Sequence, residues 1–405
     1  MKRLTVLSLE QALSLPYATS RMVQLGWRVI RVEAPAGDPN RRIGMELGGG
    51  PDRCAYFVGP NVGKEAITVD LTQPEGRAAL HRIVRELAVD VFCSNTLPGR
   101  YERLGIDDAT LRAVRPSIIV AGISALGPSH PETPGYDPAL QALLGFMDLT
   151  GPEDGPPMLC GLPLIDLKAG DELLTQVLAA LVERASAPEP ARWTGKRIDV
   201  SMAQAAATWL LTVLPMLDAG AKPVELTRSG SEHRHFVPSN AYPTADGFVY
   251  MAIGSDRQWA AFTALPAFTS MGEPRYQRNQ GRKDDRKALH ARLGELMRQR
   301  TTAQNLADLE AAGLVCAPIH PVAKAVEAPW LAALLNHTTA PDGRRIRLPP
   351  EAVGTRARAF SFPPRQGEHT AAVLKEAGVS AAELDALLAK KAVFGPSELP
   401  HGKDR

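Results

Sequence analysis

The sequence is poor in cysteine and in net charge, and each shortage argues against a class of protein. Its four cysteines, Cys54, Cys93, Cys160 and Cys316, lie far apart and form no C-x-x-C pair. Neither a metal site nor a disulfide framework is therefore indicated, and we expect a reducing, cytoplasmic location. The formal net charge is only +2 across 405 residues, which gives no reason to expect nucleic acid as a partner.

Long apolar runs and nucleotide-binding fingerprints are also missing. The longest apolar run, 205–217, contains two Thr and a Pro and is too short to span a bilayer, so it predicts a buried helix and no membrane partner. The N-terminal MKRLTVLSLEQ lacks the features of a signal peptide. No G-x-G-x-x-G follows the first strand, and GPNVGK does not complete a P-loop, so dinucleotide binding and ATP hydrolysis are weakly supported.

The first 125 residues instead alternate between strand and helix patterns. LTVLSL, WRVIRVE, AITVDL, VDVFCSN and SIIVAGIS are typical of buried strands, with helices beginning near Pro16 and at Pro74. This alternation predicts a doubly wound α/β fold with a parallel sheet, whose ligands collect at the carboxyl ends of the strands. Asn95, Arg100 and Arg103 follow such an end. The arginines could contact phosphate or lie on a solvated helix face.

The later chain predicts a second, smaller domain. NAYPTADGFVYMAIG indicates a hairpin around Asp246–Gly247, and helical patterns continue to about 312. A Ser380–Glu383 capping box then begins a helix that could pack back onto the first domain. We expect a discontinuous large domain, a small α+β domain and two linkers, over residues 1–205 with 340–405, 225–330, and 206–224 with 331–339, respectively.

One helical segment, GLPLIDLKAGDELLTQVLAALVER, carries a candidate catalytic carboxylate. Apolar residues recur on one predicted buried face, at Leu173, Leu174, Val177, Leu178 and Leu181. Asp166 lies just before this repeat. At the positive end of a helix it could serve as the N-cap, or it could attack an electrophile, and the window alone favours the cap.

With these pieces in place, the chain resembles the family III CoA-transferases, which include formyl-CoA transferase, carnitine CoA-transferase and α-methylacyl-CoA racemase. The resemblance runs in order through most of the chain, in the blocks GWRVIRVEAPAGDPNR, NVGKEAITVDLTQPEGR, DVFCSNTLPGRYERLGI, RPSIIVAGISALG, PGYDPALQALLGFMDLTG, the Asp166 segment, TGKRIDVSMAQA, YPTADGFVYMAIG and GEHTAAVLKEAGV.

The resemblance implies a Rossmann-like large α/β domain made from both ends of the chain, with a smaller α+β domain inserted. It implies an interlocked-ring homodimer, with a paralogous partner subunit as another arrangement. It also implies CoA transfer from an acyl-CoA donor to a carboxylic acid through aspartyl anhydride and aspartyl-CoA thioester intermediates. CoA would be part of the substrate, and no metal or permanently bound cofactor is expected.

The resemblance also assigns residues. The family's nucleophile lies in a D-x-x-x-G motif, which here is Asp166 with Gly170, so it favours a catalytic Asp166, and the two roles are compatible. It places Asn95, Thr96, Arg103 and Lys64 at the CoA site. It further places Tyr136 and Asp137 near the acyl group.

Tyr136 separates two branches of the family. The racemase branch has a His at this position, and two-base racemisation needs groups that titrate near neutral pH, whereas an ordinary tyrosine titrates near 10. The transferase interpretation is therefore favoured over an acyl-CoA racemase or epimerase. A non-catalytic partner subunit is a third interpretation, which the retention of Asp166 disfavours.

Two segments depart from the family pattern. Its usual A-G-P after the first strand is Ser14-Leu15-Pro16 here, and its Gly-rich loop is replaced by TRSGSEHRHFVPSN. That loop contains His233, Arg234 and His235. One interpretation is that they are exposed loop residues, and the other is that they contact an anionic acyl group. Because Arg pairs well with carboxylates, the second interpretation would make a dicarboxylate such as succinate a candidate donor or acceptor.

Overall fold

The structure, a computed structural model, describes residues 3–48, 50–189 and 192–396. Strands in these residues are β1 Thr5–Leu9, β2 Arg28–Glu33, β3 Glu65–Val69, β4 Val91–Ser94, β5 Ile119–Ser124, β6 Lys196–Ser201, β7 Ser239–Pro243, β8 Phe248–Ala252, β9 Val315–Pro318, β10 Asn336–Thr339, β11 Arg345–Leu348, β12 Ala359–Phe360 and β13 Val393–Phe394.

The α-helices are α1 Ser14–Gln24, α2 Ala55–Asn61, α3 Pro74–Glu86, α4 Tyr101–Leu104, α5 Asp108–Val114, α6 Asp137–Leu143, α7 Phe146–Leu149, α8 Leu164–Ser186, α9 Met202–Ala207, α10 Val213–Asp218, α11 Asp256–Thr263, α12 Asn279–Asp284, α13 Arg286–Arg298, α14 Thr302–Ala311, α15 Val322–Ala325, α16 Pro329–Ala332, α17 Thr370–Glu376 and α18 Ala381–Ala389. Short 3-10 helices cover Pro39–Arg42, Pro98–Arg100, Thr208–Thr212, Pro223–Glu225, Pro266–Met271 and Pro274–Tyr276.

The chain divides into two units. The first unit comprises residues 1–144, 161–212 and 333–405, and the second comprises 145–160 and 213–332. Segments from both ends of the chain therefore build the first unit, and the second unit is inserted between them.

A seven-stranded sheet forms the centre of the first unit, in the order β13-β3-β2-β1-β4-β5-β6. Strands β1 to β6 pair in parallel, as the strand and helix alternation predicts. Only β13 is antiparallel, where Val393 and Phe394 pair with β3. The strand order reverses direction between β2-β1 and β4-β5, which is where doubly wound sheets open a crevice for ligands.

Apolar side chains from the sheet, α3 and the C-terminal helices share one core. Val373 and Leu374 of α17 lie in it, and Leu384 and Leu387 of α18 pack against it. The Ser380–Glu383 capping box is present, because the Ser380 hydroxyl accepts from the backbone N of Glu383 and the Glu383 carboxylate accepts from that of Ser380. The predicted return of this helix to the first domain is thus confirmed. A small sheet, β11-β10-β12, also belongs to the first unit.

The second unit contains an antiparallel sheet in the order β7-β8-β9 and its own apolar core. The turn between β7 and β8 covers residues 244–247, so the hairpin predicted around Asp246–Gly247 is confirmed. Helix α14 has a Thr301 capping box, and the chain leaves it through Gly313 in the left-handed conformation (φ +68°).

Two expectations about apolar burial are wrong. The run 205–217 is not one buried helix but α9, a 3-10 helix and α10, and the exposed fractions are 49% for Trp209 and 76% for Leu211. On α8, Leu178 is 40% exposed although it shares the periodicity of the buried Leu173 and Val177. Among the described residues, no helix combines the length and apolarity needed to cross a bilayer.

Candidate active site

A cavity of about 490 Å³ opens at the carboxyl ends of the parallel strands. Its volume falls within the range of small-molecule and cofactor sites. Residues at or just after the ends of β1 to β5 line it, together with the start of α1 and Asp166 of α8. The lining includes Glu10, Gln11, Ala12, Ser14, Glu33, Asp38, Asn95, Thr96, Arg100, Arg103, Tyr136 and Asp166.

Asp166 lies inside the first turn of α8 and is not its N-cap. The helix begins at Leu164, and the cap position is Pro163, which makes no side-chain cap bond. The start of the helix is capped instead by Asp137, which is distant in sequence. Its Oδ2 accepts from the backbone N of Ile165 (2.6 Å) and of Asp166 (3.1 Å). The cap interpretation of Asp166 is therefore wrong. Its carboxylate is left available for other contacts.

Asp137 is itself buried at the first turn of α6, with an exposed fraction of 4%. Its Oδ1 accepts from Nε2 of Gln141 at 2.6 Å. Both carboxylate oxygens therefore have partners within the protein. A contact between Asp137 and an acyl group stays a prediction, whereas its bond to the helix that carries Asp166 is an observed contact. Its neighbour Tyr136 lines the cavity and is 73% exposed.

The surroundings of Asp166 disfavour its charged form. Burial raises the pKa of this carboxyl to about 7, the negative charge of Asp137 adds to the rise, and a hydrogen bond from Ser14 opposes it. Burial raises the pKa of Tyr56 on α2, and the negative charges of Asp166 and Asp137 add to the rise. Tyr56 is a neighbour of the site that the sequence did not predict. A desolvated carboxyl with a like charge beside it is characteristic of functional sites.

Gly170 explains the spacing of the D-x-x-x-G motif. A Cβ at this position would lie 2.7 Å from the carbonyl oxygen of Ser14 and 2.7 Å from Cδ1 of Tyr17, so no side chain fits. Because Gly170 lies about one turn after Asp166, its missing side chain lets the start of α1 pack directly against the start of α8. Ser14 is thereby brought to Asp166.

Asn95, Thr96 and Arg103, which the resemblance places at a CoA site, all line the cavity. Asn95 also holds the loop after β1, because its Oδ1 accepts from the backbone N of Gln11 (3.1 Å) and its Nδ2 donates to the Gln11 carbonyl (2.8 Å). Arg100 and Arg103 are exposed at this edge, and neither forms an ion pair with another described residue. Both are cations of the cavity lining, and their contact with a phosphate stays a prediction.

Lys64, the fourth predicted CoA contact, lies away from the cavity lining. Its side chain is fully buried, and its Nζ donates to Oε1 of Glu10 (2.6 Å), to the carbonyl of Pro16 (3.0 Å) and to Oδ1 of Asn61 (3.1 Å). Burial lowers the pKa of this ammonium to about 8. Through its bonds to Glu10 and Pro16, Lys64 ties together the loop after β1 and the start of α1.

Lys64 is one member of a buried ionic cluster that the sequence analysis did not foresee. The cluster contains three carboxylates and three cations, Glu10, Glu33, Asp38, Arg31, Arg41 and Lys64. The guanidinium carbons of Arg31 and Arg41 lie 4.9 Å and 4.1 Å from the centre of the Phe57 ring. Burial would raise the pKa of Glu10, but Lys64 and Arg31 more than reverse this.

His233, Arg234 and His235 belong to the second unit and are not among the residues that line this cavity. The Arg234 guanidinium donates to backbone carbonyls of Val224, Thr227 and Arg228. Nδ1 of His233 accepts hydrogen bonds from the backbone N of His235 and of Phe236, both at 3.3 Å. These bonds order the loop internally, and contact with an anionic acyl group stays a prediction.

The comparisons with known proteins agree with this architecture. The model of the family "CoA-transferase family III" matches residues 1–370. An acyl-CoA transferase of Fusarium pseudograminearum is 30% identical over 93% of this chain and 84% of its own. A succinate–glutarate CoA-transferase of Agrobacterium fabrum is 30% identical over 92% of this chain and 94% of its own.

Among solved structures, a CAIB/BAIF family protein from Brucella suis superposes with a TM-score of 0.80 at 29% identity, over 92% of this chain and 98% of its own. The large parallel sheet with its smaller sheets is therefore the fold of that family. The expectation drawn from the nine sequence blocks is confirmed: the chain belongs to CoA-transferase family III and is an enzyme that uses CoA thioesters as substrates.

Proposed function

We propose that this enzyme moves CoA between carboxylic acids with Asp166 as its nucleophile. The observation that carries the proposal is the position of the Asp166 carboxylate, which lines the cavity at the strand ends while Asp137 takes the neighbouring backbone N–H groups. With a pKa of about 7, Asp166 is a stronger base than an ordinary carboxylate, yet it is substantially ionised at neutral pH. A buried, basic carboxylate suits covalent catalysis.

The chemistry runs in two symmetrical halves. An ionised oxygen of Asp166 attacks the thioester carbonyl carbon, the carbon–sulfur bond breaks, and the electron pair leaves on sulfur as the CoA thiolate. The thiolate then attacks the aspartyl carbonyl of the mixed anhydride. The donor acid leaves as its carboxylate, and Asp166 carries CoA as a thioester.

The acceptor carboxylate next attacks that thioester and expels the thiolate, which forms a second anhydride. Attack of the thiolate on the acceptor carbonyl gives the new acyl-CoA and restores the Asp166 carboxylate. Each attack passes through an oxyanion that needs hydrogen-bond donors. No net proton is gained or lost.

The exposed arginines support a place for the coenzyme. Arg100 and Arg103 stand at the edge of the cavity, without ion-pair partners among the described residues, and suit the phosphates of CoA. Asn95 and Thr96 would complete that side. For the acids, the Agrobacterium relative is named for succinate and glutarate, so we propose dicarboxylates as donor and acceptor. Arg234 and its histidine neighbours are the proposed acid contacts.

Capture of the covalent intermediates tests the mechanism. The enzyme is incubated with succinyl-CoA and glutarate, quenched with hydroxylamine or borohydride, and digested for mass spectrometry. We expect an adduct on the peptide that contains Asp166, and a loss of glutaryl-CoA formation of at least about 10⁴-fold in Asp166→Asn. Asp171→Asn is the matched control, because Asp171 lies on the same helix but pairs with Arg21 at the surface.

The alternatives predict different outcomes of the same experiment. Exchange of the donor's α-hydrogen for deuterium without CoA transfer would identify a racemase and overturn the proposal. Neither exchange nor adduct, across a panel of acyl-CoA donors and carboxylic acids, would indicate a non-catalytic partner subunit. Full turnover of a folded Asp166→Asn would remove the aspartyl mechanism.

We also propose that two copies of the chain interlock as a homodimer. Large apolar side chains are exposed on the first unit, among them Val182 (64%), Trp209 (49%) and Leu211 (76%). Burying such surface would stabilise an obligate dimer. Light scattering on the purified chain should give twice the 43.5 kDa mass of one chain. A monomer would contradict this arrangement.

The cytoplasm is the proposed location. Cys54 and Cys93 are buried thiols, and the cysteines of the described chain form no disulfide with one another. Such thiols fit a reducing compartment.

A further inference from the structure

Two stretches of the second unit, the 145–160 segment and the 227–236 loop, are bonded to each other although they lie far apart in sequence. Three of the hydrogen bonds that join them run from Arg228 Nε to the Gly155 carbonyl (2.6 Å), from Arg228 Nη1 to Oδ1 of Asp148 (2.7 Å) and from the backbone N of Gly230 to the Gly151 carbonyl (2.7 Å). The loop and the segment are therefore held together along their length.

One side chain of α13 holds both stretches at once. The Arg286 guanidinium donates through Nη2 to Oε1 of Glu153, in the segment, at 2.9 Å, and through Nη1 to Oε1 of Glu232, in the loop, at 3.0 Å. Leu289 and Leu293 of the same helix are fully buried in the core of the second unit. Arg286 thus ties the loop and the segment to that core.

This bridge is largely shielded from water. The exposed fractions of the side chains are 23% for Arg286, 11% for Glu232 and 27% for Glu153. Salt screens such a pair less than it screens a pair on the open surface, so the two contacts hold their partners more firmly than an ordinary surface ion pair.

Both stretches continue into parts of the chain that the proposed function uses. Glu232 is followed directly by His233, the first of the proposed acid contacts. The 145–160 segment connects α6, which begins at Asp137, with α8, which carries Asp166. A shift of Glu232 would therefore displace the residues that are proposed to meet the acid.

Resting on the proposed function, we propose that Arg286 is a positioning residue, which holds the 227–236 loop in the shape that recognises the second carboxylate of a dicarboxylic acyl group. A guanidinium suits this task because its fixed, planar set of donors can hold two carboxylates at once. In this role Arg286 touches no substrate. It sets the selectivity between acyl groups and leaves the covalent chemistry of Asp166 unchanged.

Hydrogen–deuterium exchange of the enzyme without substrate tests the bridge. The wild type is compared with Arg286→Met, which removes the donors and keeps an unbranched side chain. We expect the backbone amides of Met158, Gly230 and His233, all of them hydrogen-bonded within or between the two stretches, to exchange at least about tenfold faster in the variant.

Donor kinetics test the role in selectivity. For each enzyme, kcat/KM is measured for succinyl-CoA and for acetyl-CoA with glutarate as the acceptor, because kcat/KM of the donor reports the first half of the reaction. The acetyl group has no second carboxylate for the loop to recognise. We expect the ratio of succinyl-CoA to acetyl-CoA to fall by about tenfold in Arg286→Met, since small displacements of binding groups have effects of this size or larger.

Arg292→Met is the matched control. Arg292 also lies on α13, but its guanidinium donates to Glu273 and to the carbonyl of Ser270, which belong to neither stretch. Its loss should leave the exchange of the two stretches and the donor ratio in place. Glu232→Gln is a second test variant, which breaks the ion pair at the loop without shortening a side chain and should also lower the ratio.

The proposal is overturned if the two stretches exchange as in the wild type when Arg286 is replaced, or if they loosen while the donor ratio stays the same. A wild type that does not prefer succinyl-CoA to acetyl-CoA overturns it as well. The proposed function fails separately, because the wild type would then yield no adduct at Asp166 with any donor.

Discussion

The first unit contains two groups of buried charges that are built in opposite ways. In the buried ionic cluster, three carboxylates face three cations, and every member has an oppositely charged partner. At the start of α8, Asp137 and Asp166 lie side by side, and backbone and side-chain donors replace the missing cation. The first group holds the loops that line the cavity, and the second leaves the charged form of one carboxylate poorly stabilised. Complete pairing serves the fold, and incomplete pairing suits the chemistry proposed for Asp166.

The largest effect is expected from breaking the paired group. Lys64→Met would leave Glu10 buried with Arg31 as its remaining cation, at 3.4 Å. We expect a loss of about 3–5 kcal/mol in the free energy of unfolding, because a buried charge that loses its partner is strongly destabilising. Urea denaturation at pH 7 measures it.

Lys168→Met on α8 is the control for this loss. Lys168 pairs with Glu172 at 3.0 Å on the partly exposed face of the helix, where such a pair contributes less than about 1 kcal/mol. Equal losses for the two variants would show that burial of the cluster does not set its importance.

The unpaired group should respond with the opposite sign. The pKa of Asp166 is raised to about 7, so the folded chain binds a proton that the unfolded chain releases near pH 4. The contribution of Asp166 to the free energy of unfolding therefore falls as pH rises from about 4 to 7. Asp166→Asn should be more stable than the wild type by about 2–4 kcal/mol at pH 8 and nearly equal to it at pH 4.

Urea unfolding at the two pH values decides this. A variant that is less stable at pH 8 would show that the charged Asp166 supports the fold instead of straining it.

The smallest effect concerns Asp137, the neighbour that destabilises the charged form of the proposed nucleophile, Asp166. Asp137→Asn keeps an oxygen that can accept from Ile165 and Asp166, and the Gln141 amide can rotate to match the new NH₂ group. The loss of the negative charge should lower the pKa of Asp166 and move the acid limb of kcat/KM down by about one pH unit. An upward shift would mean that Asp137 acts through helix geometry and not through its charge.

Local sequence patterns were sufficient for most regular elements of the first unit. The five strand patterns up to SIIVAGIS and the helix that begins at Pro74 have local causes in β-branched runs and a fixed proline φ. The two-residue strand β13 was not predicted, because so short a segment shows no periodicity. The exposed face of 205–217 escaped because composition alone cannot tell an apolar surface from an apolar core.

At the site, the sequence located Asp166 but not what surrounds it. The Asp137 cap lies 28 residues from Ile165, and Lys64 lies 54 residues from Glu10, so neither pairing leaves a local pattern. Arg31 and Glu33 in WRVIRVE resemble the outward face of a half-exposed strand. That pattern was a usable signal, because a strand buried on both faces can carry charges only where other charges meet them.

The antiparallel strand β13 has a consequence for synthesis of the chain. The backbone edge of β3 is covered by Ala392, Val393 and Phe394 and also by His369 and Thr370, all of which follow the inserted unit in the chain. A ribosome must therefore complete the whole inserted unit before this edge is covered. During that interval the edge is open to other strands, as unpaired sheet edges are in aggregating proteins. β13 is thus the last strand of this sheet to be synthesised.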